Sequence, residues 1–262
     1  MIIAADIGNT NIVIGFIDKE GVKKVFRIAT DRGRTSDEYK ILLSSFIEEE
    51  GIDRNALDDF VISSVVPPLV PIFKSVSKKT IHKDAIIIKN DMDLGIKLDV
   101  DEPHLVGTDR LCDVIGAINI FPKENICVVD FGTATAFNVI TKDKRFIGGP
   151  IAVGIIAAAN ALFVKTAKLP RIALKLPESV IGRNTIEQMQ SGIIIGLGGM
   201  VDRLVDEIEQ ELGEPLRVIA TGGISHVMKR ATKRIEKFDK QLTLKGMYNI
   251  YEHIKGIQDW QP

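Results

Sequence analysis

The chain opens with Ile2-Ile-Ala-Ala-Asp6-Ile-Gly8-Asn9-Thr10-Asn11, and a second stretch, Ile126-Cys-Val-Val-Asp130-Phe-Gly132-Thr133-Ala-Thr135, repeats its pattern. Each stretch runs from apolar residues into an acid, one apolar residue, a glycine and small polar residues. The two align without a gap at an offset of 124 residues (130 minus 6), nearly half of the 262-residue chain. A repeat at this distance indicates a duplicated domain. We therefore expect one domain over residues 1–117 and a second over residues 118–262.

A turn of this composition has two interpretations. It can be an ordinary tight turn between two strands, since glycine and asparagine favour such turns. It can also bind phosphate, because glycine lets the backbone approach the ligand and free N–H groups point at its oxygens. The acid would repel a phosphate, so it suits a cation or the waters of that cation. One copy alone favours the ordinary turn, whereas two aligned copies favour the phosphate site.

Composition excludes several classes of protein. Hydrophobic residues make up 45% of the chain and charged residues 26%, which is typical of a globular protein with a sizeable core. The net charge of −1 gives no electrostatic footprint for nucleic acid or an anionic membrane. No basic region precedes the first apolar stretch, so a signal peptide is not expected. The apolar segment 151–159 is too short to span a membrane and is predicted to be a buried element.

The two cysteines and the helix signals add further expectations. Cys112 and Cys127 lie in apolar runs, which predicts buried free thiols in a cytoplasmic protein. Thr35 to Glu38 form a capping-box pattern before a helix that Gly51 closes. A helix is predicted over 111–120, starting just after residues 107–110. The helical pattern over 185–212 contains four glycines, which we interpret as a close contact with another helix, such as one from a second subunit.

Other nucleotide-binding motifs are missing from the sequence. It has no G-x-x-x-x-G-K-[ST] stretch, which argues against a P-loop enzyme, and no G-x-G-x-x-G follows a strand. A phosphatase with an aspartate nucleophile would need a second acid where Gly8 stands. The four histidines show no spacing typical of a metal site or a catalytic triad.

Two acid–glycine turns and a late strand into Thr221-Gly-Gly223 resemble the actin-like ATPase and sugar-kinase superfamily. Within it, the chain is similar to the type III pantothenate kinases. The matching segments keep the family's order across nearly the whole chain: Asp6–Asn11, Ser63–Pro68, Gly107–Arg110, Asp130–Thr135, Ala167–Pro170, Gly182–Thr185, Met189–Gly192 and Ala220–Gly223. The resemblance implies an α/β fold of two duplicated actin-like (ribonuclease H-like) ATPase domains with a cleft between them.

The resemblance also implies a reaction and a set of site residues. The family phosphorylates pantothenate with ATP to 4′-phosphopantothenate, the first step of coenzyme A biosynthesis. Asp109 would be the general base that accepts the hydroxyl proton. The ATP-binding residues would be Asp6, Ile7, Gly8, Asn9, Thr10, Asn11, Ile12, Val13 and Thr133. The pantothenate-binding residues would be Val100, Gly107, Thr108, Asp109, Arg110 and Thr185.

Cations and a partner subunit follow from the same resemblance. Asp6 would hold Mg²⁺ through water, and Asp130 a monovalent cation, K⁺ or NH₄⁺. Thr185 would reach pantothenate from the neighbouring subunit of a homodimer. The chain departs from the family pattern around the second turn and the substrate pocket, at Val100, Thr108, Ala136, Asn138, Pro150 and Val153.

These departures leave two alternatives beside pantothenate phosphorylation. The first is a kinase for another small hydroxy acid, which Val100 and Asn138 would permit. The second is a non-catalytic homologue that binds nucleotide or a regulatory partner. Retention of Asp6, Asp109 and Asp130 argues against the second alternative, because a binding protein has less need of a base.

Overall fold

The computed structural model describes residues 1–256, which form two compact units. The first unit comprises residues 1–96, 101–116 and the described residues from Gln241 onward. The second unit comprises residues 97–100 and 117–240. Two segments therefore cross the boundary predicted between residues 117 and 118: residues 97–100 fold with the second unit, and the C-terminal segment folds with the first.

The first unit contains one five-stranded sheet and four helices. Its elements are β1 (Ile2–Ile7), β2 (Asn11–Asp18), β3 (Gly21–Ala29), α1 (Ser36–Glu49), β4 (Asp59–Ser64), α2 (Val70–Ile81), β5 (Ile86–Ile87), α3 (Thr108–Ile118) and α8 (Leu242–Ile254). The core lies between the sheet and α1 and α2, where Tyr39, Phe60 and Phe73 are among the largest fully buried side chains. Thr35 and Glu38 form the predicted capping box, and Gly51 takes a positive φ just after α1. Both predictions are confirmed.

The second unit contains the other sheet. Its elements are β6 (Lys97–Leu98), β7 (Asn125–Phe131), β8 (Ala134–Ile140), β9 (Arg145–Gly148), β10 (Ile151–Val153), α4 (Ile155–Lys165), α5 (Thr185–Gln190), α6 (Gly196–Leu212), β11 (Leu216–Thr221), α7 (Ser225–Met228) and β12 (Lys237–Phe238). A π-helical segment, Ser191–Ile195, joins α5 to α6. The core of this unit is formed by apolar residues of β7, β8 and β11 packed against the α5–α6 region.

The two sheets have the same topology, which confirms the predicted duplication. The first sheet has the strand order β3-β2-β1-β4-β5, and the second repeats it as β9-β8-β7-β11-β12, with β6 added beyond β9. In each sheet the acid-bearing strand pairs antiparallel with the next strand and parallel with a later one. The gapless alignment is nevertheless wrong after the glycine. Ile7 pairs with Ile12 but Phe131 pairs with Thr135, so the second turn is one residue shorter.

Two further sequence predictions need correction. Helix α3 begins at Thr108 and not after Arg110, so Asp109 and Arg110 belong to its first turn. The apolar segment 151–159 is not a buried element, because Ile151 is 64% exposed and Ile156 is 50% exposed. Among residues 151–159, only Gly154 and Ile155, at the start of α4, are buried against other described residues.

Candidate functional site

The first turn is held in shape by backbone and hydroxyl contacts. The Gly8 amide donates to the Asn11 carbonyl at 3.0 Å, which closes the turn between β1 and β2. Thr30, at the end of β3, donates through its hydroxyl to the Gly8 carbonyl at 2.6 Å and through its amide to the Thr10 carbonyl at 3.0 Å. Asn9 and Thr10 are exposed at the tip. The turn is therefore fixed from β3 while its tip stays open to a ligand.

Asp6 and Asp109 lie in the same part of the first unit. Asp6 is the parallel register partner of Ser63 on β4, and the Ser63 hydroxyl lies 2.9 Å from the hydroxyl of Thr108. Thr108 is followed directly by Asp109 in the first turn of α3. The structure thus brings together two carboxylates that are 103 residues apart in sequence (109 minus 6).

Asp109 has an environment that suits a proton acceptor. Burial raises the pKa of its carboxyl, while the backbone amide and the charge of Arg110 act in the opposite direction. The Arg110 amide donates to Asp109 Oδ1 at 2.8 Å, which orients the carboxylate. A Cβ at Gly107 would lie only 2.5 Å from the same oxygen, so glycine leaves the room that this carboxylate occupies.

Arg110 and Cys112 complete this group. Burial lowers the pKa of Arg110, against the opposing charges of Asp109 and Asp113, but an arginine so placed stays protonated. The Cys112 side chain is fully buried, and its thiol lies near the Ser63 side chain. Burial raises the pKa of Cys112 well above its ordinary value, and the nearby charges of Asp6, Asp113 and Asp109 add to this effect. The thiol is therefore protonated and neutral beside three acids.

Helix α8 supports α3 from the other side. Gly246 of α8 lies against the backbone of Cys112, and Gly116 of α3 lies against the backbone of Leu242, where a Cβ would be 2.6 Å from the Leu242 oxygen. The Thr243 hydroxyl also donates to Asp113 Oδ1 at 2.7 Å. The backbones of α3 and α8 are thus in direct contact. This contact fixes the position of α3, which carries Asp109 in its first turn.

The second turn holds Asp130 between two glycines. A Cβ at Gly222 would lie 2.7 Å from Asp130 Oδ1 and 2.5 Å from the Phe131 oxygen, and a Cβ at Gly132 would lie 3.1 Å from Asp130 Oδ2. Gly222 takes a φ of +95°, which side chains rarely adopt. A side chain at position 222 would therefore collide with the Asp130 carboxylate and the Phe131 carbonyl oxygen, which both lie against Gly222, and oxygens of this kind suit a cation.

The remaining predicted residues of the second unit are spread over its surface. Thr133 is exposed at the tip of the turn, and its carbonyl lies against Gly154 at the start of α4. Val100 packs near Gly148, where a Cβ would be 3.6 Å from its side chain. Thr185 begins α5 on the rim of a pocket of about 500 Å³. Within the unit, Thr133 lies beside Asp130 in the same turn, whereas Val100 and Thr185 lie on other elements.

The positions that depart from the family pattern have defined places. Ala136 is the register partner of Asp130, and Asn138 is fully buried in the same strand, β8. Val153 is 51% exposed, and its carbonyl accepts a hydrogen bond from the Thr135 hydroxyl at 3.2 Å. These residues surround the second turn from β8 and β10.

An exposed apolar surface covers one side of the second unit. Its most exposed members, which we call the α4 face, come from β10, α4 and residues 180–186: Ile151, Val153, Ile156, Val164, Val180, Ile181 and Ile186. The pocket that Thr185 borders is also lined by Leu162, Gly192 and Gly196. A methyl group at Gly192, Gly196 or Gly199 would meet nothing within 4 Å, whereas one at Gly198 would meet the Ala231 backbone. Among the described residues, Gly198 alone of the four glycines lies close to another segment, and that segment is the turn after α7 and not a helix.

Several site residues were missed by the sequence interpretation. Ser63 was quoted only as part of a motif, and Cys112 only as a buried thiol. Arg32 reaches the first turn from the segment after β3 and donates to Asn9 Oδ1 at 3.4 Å. Parallel pairing of β4 with β1 was the one signal that could have placed Ser63 beside Asp6.

The described residues contain neither a clustered metal site nor a membrane-spanning helix. Within residues 1–256, no group of three or more histidines, cysteines or acids is arranged to hold a metal ion. Over the same residues, no helix has the length and apolar character needed to cross a membrane.

Known proteins share this sequence pattern and this fold. A model of the family described as type III pantothenate kinase matches residues 2–207. A protein from Campylobacter jejuni described as a Baf family transcriptional activator superposes with a TM-score of 0.60 at 17% identity, over 97% of this chain and 99% of that chain. The 2-hydroxyisocaproyl-CoA dehydratase activator from Clostridium difficile, solved with bound ADPNP, gives 0.54 at 14% identity over 99% of both chains. The ROK hexokinase from Thermus thermophilus gives 0.52 at 9% identity, over 97% and 99%.

Proposed function

The chain belongs to the type III pantothenate kinase family, and we propose how its residues carry out that family's reaction, the ATP-dependent phosphorylation of pantothenate in coenzyme A biosynthesis. The observation that supports the assignment of roles is the juxtaposition of Asp6 and Asp109 through Ser63 and Thr108. It places a carboxylate suited to a cation near a carboxylate suited to a proton.

Asp109 is the proposed general base. The hydroxyl oxygen of pantothenate attacks the γ-phosphorus of ATP, the bond from that phosphorus to the bridging oxygen breaks, and ADP leaves. The hydroxyl proton passes to Asp109, and burial, which raises the pKa of this carboxyl, makes it a stronger proton acceptor than an exposed aspartate. Arg110 supplies a positive charge in the same turn of α3, which suits the carboxylate of pantothenate.

The residues from Asp6 to Val13 are proposed to hold the ATP phosphates, with Thr133 as a further contact. The exposed tip at Asn9 and Thr10 and the nearby guanidinium of Arg32 support this role. Asp6 fits Mg²⁺ through water, because one carboxylate at the end of a strand leaves the remaining ligand positions to phosphates and water. When bound, Mg²⁺ neutralises charge on the transferring phosphoryl group.

Asp130 is proposed to bind K⁺ or NH₄⁺. The close approach of Gly222 supports this, since Gly222 lies against both the Asp130 carboxylate and the Phe131 carbonyl oxygen, two oxygens of the kind that bind a cation. Gly107, Thr108 and Val100 are proposed to line the pantothenate site, in addition to Asp109 and Arg110.

The two buried free thiols support a cytoplasmic setting.

The kinetic test compares the wild type with Asp109→Asn and with Asp101→Asn, an exposed acid of the same unit, as the matched control. We expect pantothenate-dependent release of ADP that is faster in potassium than in sodium. The Asp109 variant should lose about 10²- to 10⁴-fold in kcat, while the Asp101 variant should not. A wild type that binds ATP without turning over pantothenate would overturn the proposed reaction, and equal rates in the two salts would overturn the cation site.

We also propose a homodimer in which the α4 face meets its copy and Thr185 reaches the partner's pantothenate. The clustered exposure of Ile151, Ile156 and Val164 supports this, because large apolar patches mark interaction sites. Sedimentation should show a dimer for the wild type and a monomer for Ile156→Glu. Ile41→Glu is the matched control, since Ile41 is 60% exposed on α1 of the other unit. A monomeric wild type would overturn the dimer.

A further inference from the structure

The hydroxyl of Thr108 has an unusual set of partners for a residue at a helix start. It lies 2.9 Å from the Ser63 hydroxyl and accepts a hydrogen bond from the Ser64 amide at 3.2 Å. Both partners lie at the C-terminal end of β4. The side chain of Thr108 is thus bonded to the strand, and its hydroxyl is already engaged before any substrate arrives.

These contacts connect two separate pieces of the candidate site. Ser63 stands opposite Asp6 in the parallel pairing of β1 and β4. Thr108 is covalently next to Asp109, and Cys112, one helical turn later, lies near Ser63 on the same face of the helix. The first turn of α3 is therefore attached to the neighbour of Asp6 through the hydroxyl of Thr108.

The hydrogen bonding at the end of β4 also depends on Thr108. The pairing of β4 with β5 ends at Ile62 and Ile87, and the amide of Ile88, the residue after β5, still donates to the Ile62 carbonyl. Ser64 lies beyond this pairing, and Thr108 supplies the acceptor for its amide. Because Ser63 is fully buried, removing the Thr108 hydroxyl would leave polar groups unsatisfied out of reach of water.

We propose that Thr108 is a positioning residue, whose contact with Ser63 and Ser64 fixes the distance between Asp109 and Asp6. The inference rests on the proposed function for its catalytic meaning. It assigns the hydroxyl of Thr108 to the strand and leaves the backbone of residues 107–110 to face the substrate. The contact between the hydroxyls of Thr108 and Ser63 then sets the distance between pantothenate, which accepts the phosphoryl group, and ATP, which donates it.

The variants Thr108→Val, Thr108→Ser and Ser63→Ala test this kinetically. Valine keeps the shape of threonine and removes the hydroxyl, so kcat should fall about tenfold while KM for ATP changes little, since small misplacements act on the chemical step. Serine should restore most of the lost kcat. The double variant Ser63→Ala/Thr108→Val should be no slower than Thr108→Val alone, because both changes remove the same link.

Thr80→Val is the matched control. Thr80 is a buried threonine of α2 whose hydroxyl has no hydrogen-bond partner among residues 1–256, so its loss should leave kcat within twofold of the wild type. A Thr108→Val enzyme with a kcat within twofold of the wild type would overturn the proposal. Effects of Ser63→Ala and Thr108→Val that multiply in the double variant would overturn it as well.

A second readout does not depend on turnover. Cys112 lies under the proposed link, whereas Cys127 is an equally buried thiol on β7 of the second unit. Thr108→Val should increase the rate of Cys112 alkylation by iodoacetamide about tenfold and leave Cys127 unchanged. If the wild type fails to phosphorylate pantothenate, the proposed function falls, yet unchanged alkylation of Cys112 would still overturn the link and faster alkylation would support it.

Discussion

Helix α8 provides the clearest prediction about how the site is held, through the substitution Gly246→Ala. A Cβ at Gly246 would overlap the Cys112 carbonyl oxygen and lie 2.6 Å from its carbonyl carbon, where an ordinary contact begins at 3.4 Å. The helices must therefore separate by at least about 0.8 Å, since both neighbours are backbone and cannot rotate away. Overpacking of this size costs about 1–3 kcal/mol of folding stability.

The same displacement should also move Asp109 and slow the reaction, because Cys112 lies one helical turn from Asp109. A misplacement approaching 1 Å costs up to about 10²-fold in rate, so we expect kcat to fall by about 10- to 100-fold. Urea unfolding and steady-state kinetics measure the two effects.

Gly15→Ala is the matched control, because its Cβ would meet the same helix only at the end of the flexible Leu244 side chain, 2.8 Å away. We expect the control to lose less than about 1 kcal/mol, which is below the range for forced overpacking. A Gly246→Ala protein with the unfolding midpoint and kcat of the wild type would refute the reasoning about α8.

Three further predictions concern the second turn, the buried acid and a helix cap. Gly222→Ala should raise the potassium concentration for half-maximal rate at least about tenfold, because a new Cβ at positive φ enters the space beside Asp130; an unchanged potassium titration would contradict this. Asp109→Asn should unfold at a higher temperature than the wild type at pH 7, since the raised pKa of Asp109 means that its ionised form destabilises the fold. The difference should shrink as the pH falls through the raised pKa of Asp109 and level off below the ordinary pKa of 3.8, and a difference independent of pH would contradict the burial argument. Thr35→Ala should lower the free energy of unfolding by about 1 kcal/mol without changing kcat, through loss of the capping box, and an unchanged midpoint would contradict it.

The sequence was sufficient for the duplication and for the strand ends that carry Asp6 and Asp130. The end of each strand is set by the acid and the glycine that follow its apolar run, which a local sequence pattern shows. The repeat of this pattern at a fixed offset identified the second copy. The one-residue difference between the turns was not predictable, because it depends on which residues pair across β7 and β8. Register is set by three-dimensional packing, which a linear alignment does not contain.

The start of α3 and the α4 face show where sequence reasoning failed. Thr108 and Asp109 were placed before the helix, but α3 begins at Thr108, whose hydroxyl accepts a hydrogen bond from the Ser64 amide at the end of β4. The apolar run 151–159 was interpreted as buried because it is too short to span a membrane. Its exposure in the second unit is what a protein that covers this face with another subunit would show.

The sequence also did not predict that α8 folds with the first unit. Gly116 and Gly246 lie 130 residues apart (246 minus 116), and neither helix pattern shows which other helix it meets. Only the backbone contact at Cys112 and Leu242 explains why glycine stands at both positions.

The most direct test of the central claim is ³¹P NMR of ATP and pantothenate incubated with the wild type or with Asp109→Asn. The account predicts that the wild type converts the γ-phosphoryl signal of ATP to that of a phosphate monoester on pantothenate, with one ADP formed per ester. It predicts that the Asp109 variant still binds ATP but forms the ester at least about 10²-fold more slowly. Ester formation by the variant at the wild-type rate, or no ester from a wild type that binds ATP, would contradict the claim.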